Sequence, residues 1–211
     1  MSAKGQGPSK VEHLGTEVLA HRHFRYEQIA LQIDTFAGKT SEPMYREVLR
    51  SGTAVAVLLY DPQAHRFILI EQFRVGAWLN HFPSSWILEC VAGRIDEGES
   101  AEDAVRREAK EETNCRVEKM QFCGSYLSTP GISDELVDVY IGQVDSTRVG
   151  GVHGVKQEQE DIRTVIMDVE EALALADRGA INNVMCAIAL FWFARHGEGL
   201  RQRWLAALVA G

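Results

Sequence analysis

Residues 93–114, GRIDEGESAEDAVRREAKEETN, place eight acidic side chains between Asp96 and Glu112. Ser100 with Asp103 three residues on is a capping pair, so a helix starts near Ser100. Its positive dipole end accounts for Glu97, Glu99, Glu102 and Asp103. The far end needs another explanation. At about 100° per residue, Ala101 and Val105 set the apolar direction, with Ala104 and Ala109 on its flanks. Glu108 and Glu112 fall within about 20° of Ala101, on the face that must turn inward. Two carboxylates at i and i+4 repel by roughly 0.2–0.5 kcal/mol in an exposed helix, and burial without a partner raises that cost. Whatever fold this chain adopts must compensate them. Arg106 and Lys110 point the other way, and Arg107, beside Glu111, is nearer. A hard divalent cation fits better, because Mg²⁺ takes carboxylate oxygens and is often shared with substrate phosphates. No Cys or His stands at ligand spacing, so zinc is a poor fit. The plain alternative is a solvated or salt-bridged acidic face.

The rest of the chain surrounds this helix with strands. "TAVAVLLYDPQAHRFILIEQF" has apolar β-rich runs at 53–60 and 67–73 flanking Asp61-Pro62, a hairpin signature. "WILECVAG" (86–93) reads as one buried strand leading into the acidic helix, and 122–127, 136–144 and 164–169 as further strands. Residues 24–36 read as one or two strands, and residues 1–15 as a loosely ordered tail. Residues 148–161 hold three glycines and no apolar period, which predicts a mobile loop. Two helices end the chain, one stopped by Gly179 and one by Gly197. In the second, Trp192 and Phe193 read as core or interface. The pattern predicts an α/β fold with a mixed sheet packed between helices.

At 211 residues the chain can bury a real core. A net charge of −8 argues against a nucleic-acid or anionic-membrane surface and suits divalent counter-ions. Cys90, Cys115, Cys123 and Cys186 form no C-x-x-C pair, which predicts reduced thiols. No apolar run reaches membrane-spanning length, and the first residues lack a signal-like apolar stretch. The expectation is a soluble cytoplasmic protein.

The acidic segment resembles the Nudix box, G-x5-E-x7-R-E-U-x-E-E-x-G-U with U apolar. Gly93, Glu99, Arg107, Glu108, Ala109, Glu111 and Glu112 match in register, and Cys115 fills the last apolar place. Asn114 departs from the family's glycine, and asparagine is the next best residue for a left-handed helix cap. The resemblance implies a hydrolase of nucleoside diphosphates linked to another moiety, using two or three Mg²⁺ or Mn²⁺ ions. It implies Glu108 and Glu112 as the main metal ligands, with Glu111 and the Ala92 carbonyl assisting. It implies an Arg107–Glu99 pair that holds helix and loop, with Gly93 at the junction. The implied fold is a Nudix α/β/α sandwich over residues 53–211, with residues 1–52 forming a tail and a small β-domain.

"LIEQFRVGAW", "LSTPGISDE" and "HGVKQEQEDIR" extend the likeness to bacterial ADP-ribose pyrophosphatases, across most of residues 54–195. That subfamily implies Glu158 as general base, Glu160 as a further metal contact, and the 148–161 loop as a lid. Pro130, fifteen residues past Cys115, matches a characteristic proline. Arg74 and Arg46 match positions that approach the diphosphate and ribose, Arg46 from the partner chain of a homodimer whose N-terminal domains are exchanged. Phe24 is a candidate for stacking on adenine, with a core role as its alternative. The implied reaction is hydrolysis of ADP-ribose to AMP and ribose 5-phosphate. GDP-mannose is the rival substrate, and a non-catalytic ligand sensor the rival class.

Overall fold

A computed structural model of the chain describes residues 8, 10–155 and 159–209. They form two compact units, one made of the residues up to Gly52 together with Thr129–Glu135, the other of Thr53–Ser128 and Leu136–Gly211. Among the described residues no helix is long and apolar enough to cross a membrane.

The smaller unit is a three-stranded antiparallel sheet in the order β1 (Val11–His21), β2 (Arg25–Ile33), β3 (Met44–Arg50). Residues 11–15 are therefore strand, where the polar composition predicts a tail. Their signal is weak because nearly every β1 side chain is exposed on both faces, so no alternation of burial is written into the sequence. Residues 129–135 join this unit through Asp134. Its carboxylate accepts the N–H groups of Ser51 (2.8 Å) and Gly52 (3.2 Å) and the Arg50 Nε–H (2.6 Å).

In the larger unit, β4 (Thr53–Asp61) and β5 (Arg66–Phe73) make the expected hairpin. Asp61 closes it by accepting the Gln63 and Ala64 N–H groups at 2.9 and 3.0 Å, an Asx turn. After the short helix α1 (Val75–Leu79) the "WILECVAG" segment is two strands, not one. β6 (Trp86–Glu89) pairs with β5, and β7 (Val91–Arg94) pairs with β4. The segment changes partner at Cys90 because β4 and β5 pair directly only from Leu59 to Asp61, and their open ends each take one half of it. Then follow α2 (Ala101–Thr113), β8 (Lys119–Leu127), β9 (Leu136–Gln143), β10 (Val152–His153), β11 (Ile162–Asp168), α3 (Val169–Asp177) and α4 (Val184–Val209). The sheet has eight strands, with path β10-β11-β5-β4-β9-β8. It is mixed, since β4 and β9 run parallel while the other pairs are antiparallel.

β4 shows why helices cover both faces. Ala54, Ala56, Leu58 and Tyr60 lie in one core with α3 and α4, while Val55, Val57 and Leu59 lie in another with α2. A strand buried on both faces reads as an unbroken apolar run, as 53–60 does.

α4 runs through Gly197 to Val209, where the sequence predicts a stop at Gly197. A Cβ at Gly197 would stand 2.3 Å from the Phe193 ring. That ring is wedged 4.7 Å from Tyr60 and 4.8 Å from Phe67, centroid to centroid. Gly197 is thus a close-packing glycine. Gly197→Ala would gain about 1 kcal/mol of helix propensity but overpack the core by about 1–3 kcal/mol. A lower urea midpoint is expected, and a higher one would show that Phe193 can yield.

Candidate active site

α2 is capped at both ends. Ser100 Oγ accepts the Asp103 N–H at 3.1 Å and donates to Asp103 Oδ2 at 2.6 Å. Asn114 takes the left-handed conformation (φ 58°, ψ 17°) and donates its N–H to Lys110 O at 3.0 Å. The caps fix the helix register. Ala104, Val105, Ala109 and Glu112 are buried together, Glu112 only 3% exposed.

Glu112 lies over β7. Its Oε2 accepts the Ala92 N–H at 3.3 Å. Within a strand, the N–H and C=O of one residue leave the same side. The Ala92 carbonyl therefore also faces this edge, away from β4. One turn back, Glu108 rests on Gly93, where a Cβ would fall 1.9 Å from Glu108 Oε1. Only glycine leaves room for that carboxylate.

Arg107 ties the cluster together. Its Nε and Nη2 bind the two Glu99 oxygens at 2.9 Å each, and Nη2 also donates to Arg94 O at 2.8 Å. Its Nη1 lies 2.6 Å from Glu108 Oε1 and 3.4 Å from Glu111 Oε2. The helix and the preceding loop are thus joined through one guanidinium. No cation pairs with Glu112 among the described residues.

The electrostatics follow from this packing. Burial pushes the Glu112 carboxyl up to about 9, and the Glu108 and Glu160 charges add to it. Burial likewise pushes Glu108 up to about 7, with Arg107 pulling it back only in part. Glu160, whose Oε2 accepts the Val155 N–H at 3.0 Å, bears on both. Among the described residues no three acidic, His or Cys side chains converge as they stand into a cation cage. Arg107 draws Glu108 and Glu111 toward itself. The donor chemistry still suits a hard cation, since a buried carboxylate without a positive partner favours divalent charge. Glu108, Glu111, Glu112, Glu160 and the Ala92 carbonyl are the groups that could hold it.

A pH prediction follows for the metal-free protein. The folded state keeps the Glu112 proton up to about 9, while an unfolded glutamate near the ordinary 4.5 releases it. The folded state binds more protons across this window, so stability falls as pH rises, by about 1.4 kcal/mol per pH unit for each fully linked proton. Glu108 adds to the slope below about 7. Urea midpoints in EDTA should drop from pH 5.5 to 8.5, and saturating Mg²⁺ should flatten the trend. A midpoint that rises with pH in EDTA would contradict the burial of these groups.

Arg74, at the end of β5, has a partner that the sequence reading missed. Its Nε lies 2.9 and 3.1 Å from the two Glu89 oxygens, and its Nη2 2.6 Å from Oε2. The Glu89 side chain is 2% exposed and that of Arg74 45%, so a buried carboxylate holds a half-open guanidinium. The signal was present, since Glu89 is the lone charge in an apolar strand. The Glu112 and Glu160 charges also act on Arg74.

Phe24, Arg46 and Pro130 belong to the smaller unit and are exposed. Phe24 packs edge-on to His23 at 4.6 Å, and Arg46 Nη1 donates to Tyr45 O at 2.8 Å. Glu158 lies outside the described residues.

The chain is similar to known proteins over most of its length. The NUDIX domain profile matches residues 50–186. The chain is 36% identical over 198 residues to the ADP-ribose pyrophosphatase of Escherichia coli K12, covering 94% of each chain. It is 35% identical over 196 residues to the ADP-ribose pyrophosphatase of Haemophilus influenzae, covering 92% of this chain and 90% of the relative. The GDP-mannose pyrophosphatase of Cronobacter sakazakii is 32% identical over 181 residues, 85% of this chain and 93% of its own. Among solved structures, an ADP compounds hydrolase superposes with a TM-score of 0.68 at 21% identity, covering 93% of this chain and 98% of its own, a likeness of fold. With its box residues assembled on β7 and α2 and its sequence matched over most of its length, the chain belongs to the NUDIX domain family.

Proposed function

We propose that this chain, a Nudix hydrolase, cleaves the diphosphate of ADP-ribose to AMP and ribose 5-phosphate with Mg²⁺, two or three ions per site, Mn²⁺ substituting. The observation that carries the reading is Glu112, a buried carboxylate on the inward face of α2 that no cation pairs with among the described residues. The similarity to ADP-ribose pyrophosphatases over 94% of the chain supports the choice of substrate. When bound, the metal neutralises the diphosphate, stabilises charge on the phosphoryl oxygens and acidifies a water.

The chain's own residues do the rest. Glu108 and Glu112, assisted by Glu111, Glu160 and the Ala92 carbonyl, hold the cation. Arg107, gripped by Glu99, keeps the helix at a fixed distance from the loop. Arg74, aimed by Glu89, meets the phosphates with a charge that stays on at every working pH. Glu158 accepts the proton of the attacking water as oxygen bonds to phosphorus and the bridging P–O bond breaks. Glu158→Gln is expected to lower kcat at least tenfold with KM little changed. A smaller loss would remove it from that role.

The protein works in the cytoplasm as a homodimer with exchanged N-terminal sheets, Arg46 entering the partner's site with Phe24 and Pro130 beside the nucleotide. Supporting this, the three-stranded sheet leaves Val11, Leu14, Val18, Leu19 and Tyr45 exposed, apolar side chains that an exchanged dimer would cover. The second substrate reading is GDP-mannose, favoured by the 32% identity to a GDP-mannose pyrophosphatase. The deciding experiment is AMP release from ADP-ribose with Mg²⁺, beside GDP-mannose and an EDTA blank. Chelator-sensitive turnover of ADP-ribose is expected. Turnover of GDP-mannose alone would keep the metal site and change the substrate, and turnover of neither would overturn the reading.

A further inference from the structure

A cavity of about 440 Å³ opens beside Arg74, within the larger unit, between α1 and the residues that precede α4. That volume lies in the range of small-molecule sites, roughly 300–1,000 Å³. Its walls include the Arg74–Glu89 pair, the amides of Asn80, Asn182 and Asn183, and the apolar Phe82 and Ile87.

The hydrogen-bonding capacity left in this wall is mixed. Asn182 Nδ2 donates to Ala180 O at 3.2 Å, which leaves its Oδ1 as an acceptor. Asn183 Oδ1 accepts the Cys186 N–H at 2.9 Å, which leaves its Nδ2 as a donor. The Asn80 side chain makes no hydrogen bond among the described residues and offers both. Arg74, aimed by Glu89, is the only cation among the lining residues and is committed to the phosphates, so the cavity offers no further cation for a second anion. Donors and acceptors side by side, a neutralised ion pair and one exposed aromatic ring suit a neutral polyol. Each hydroxyl both gives and takes a hydrogen bond, and its C–H face can rest on a ring.

We propose that this cavity receives the sugar joined to the diphosphate, with Asn80 and Asn182 reading its hydroxyls and Arg74 marking the boundary with the phosphates. The inference rests on the diphosphate-sugar reading above and adds the place where the sugar is recognised. The cavity exceeds the bulk of a pentose, so a hexose also enters, and discrimination between sugars falls to the amides.

The test compares two substrates that share base and diphosphate, ADP-ribose and the methyl ester of ADP, in wild type, Asn80→Ala and Asn182→Ala. Asn183 is left intact because it supports the start of α4. For each variant, the loss in kcat/KM for ADP-ribose is expected to exceed the loss for the methyl ester at least fivefold. Equal losses, or none, would overturn the proposal, since a structural role or a nucleoside subsite moves both substrates together. Calorimetric titration of ribose 5-phosphate with Mg²⁺ gives an arm independent of turnover. Wild-type binding weakened at least fivefold in either variant supports the sugar site even where ADP-ribose is not hydrolysed, which alone would count against the function proposed above. Absence of wild-type binding at millimolar concentration, or equal binding by all three proteins, overturns it.

Discussion

Glu112→Gln is expected to reduce ADP-ribose turnover by several hundredfold to about a thousandfold while leaving the metal-free fold at least as stable as wild type. The first half follows from charge. A carboxylate that carries a divalent cation at the phosphoryl group acts where transition-state charge develops, and losing one such contact typically costs about 10²–10³ in rate. The second half follows from burial. With its carboxyl pushed up to about 9, metal-free Glu112 holds its proton at neutral pH, and glutamine copies the shape of that neutral acid. The amide oxygen can still accept the Ala92 N–H. In urea melts the variant should also lose one proton's worth of the pH slope expected in EDTA. A variant that kept more than a tenth of the activity would remove Glu112 from the metal site, and one that failed to fold would show that its charge is structural.

Gly93→Ala should have the second largest effect, a loss of about a hundredfold in kcat/KM with a higher Mg²⁺ requirement. The added methyl would occupy the place of the Glu108 carboxylate, 1.9 Å from Oε1 and 2.0 Å from Cδ. β7 is held by β4, and Val55 pairs with Gly93, so the side chain must move rather than the strand. Glu108 would leave Arg107 and the cluster. A stability cost of about 1–3 kcal/mol accompanies the overpacking. Coupling separates the cause from a general fault in the strand. In a Glu108→Ala background the new methyl finds space, so Gly93→Ala should then cost almost nothing in stability. Equal costs in both backgrounds would place the defect in the backbone.

The inward carboxylates were legible because helical spacing alone puts Glu108 and Glu112 beside Ala101, and the capped register of α2 keeps them there. β4 and β5 were legible for a similar reason, since each carries an unbroken apolar run buried on both faces, residues 54–60 and 67–70. β1 was not, since its exposed side chains carry no face preference. Gly197 misled because one residue serves two physical purposes, ending helices and admitting a neighbouring ring, and only the Phe193 contact tells them apart. Glu89 escaped notice because its partner is fifteen residues back in the chain and meets it only across the β5–β6 pairing. The sequence favours a divalent cation to compensate Glu108 over the nearby Arg107, whereas Arg107 supplies part of that compensation in the metal-free arrangement.

The change of strand partner at Cys90 has a further consequence for spacing. Glu89, which grips Arg74, ends β6, and Ala92, which faces Glu112, lies three residues later in β7. At about 3.3 Å per extended residue, roughly 10 Å of backbone separates the two anchor points. The interval between the arginine end and the carboxylate end is therefore a covalent ruler, pinned by a different neighbour at each end. On the function proposed above, this is the interval along which the diphosphate lies, whatever groups are joined to its two ends.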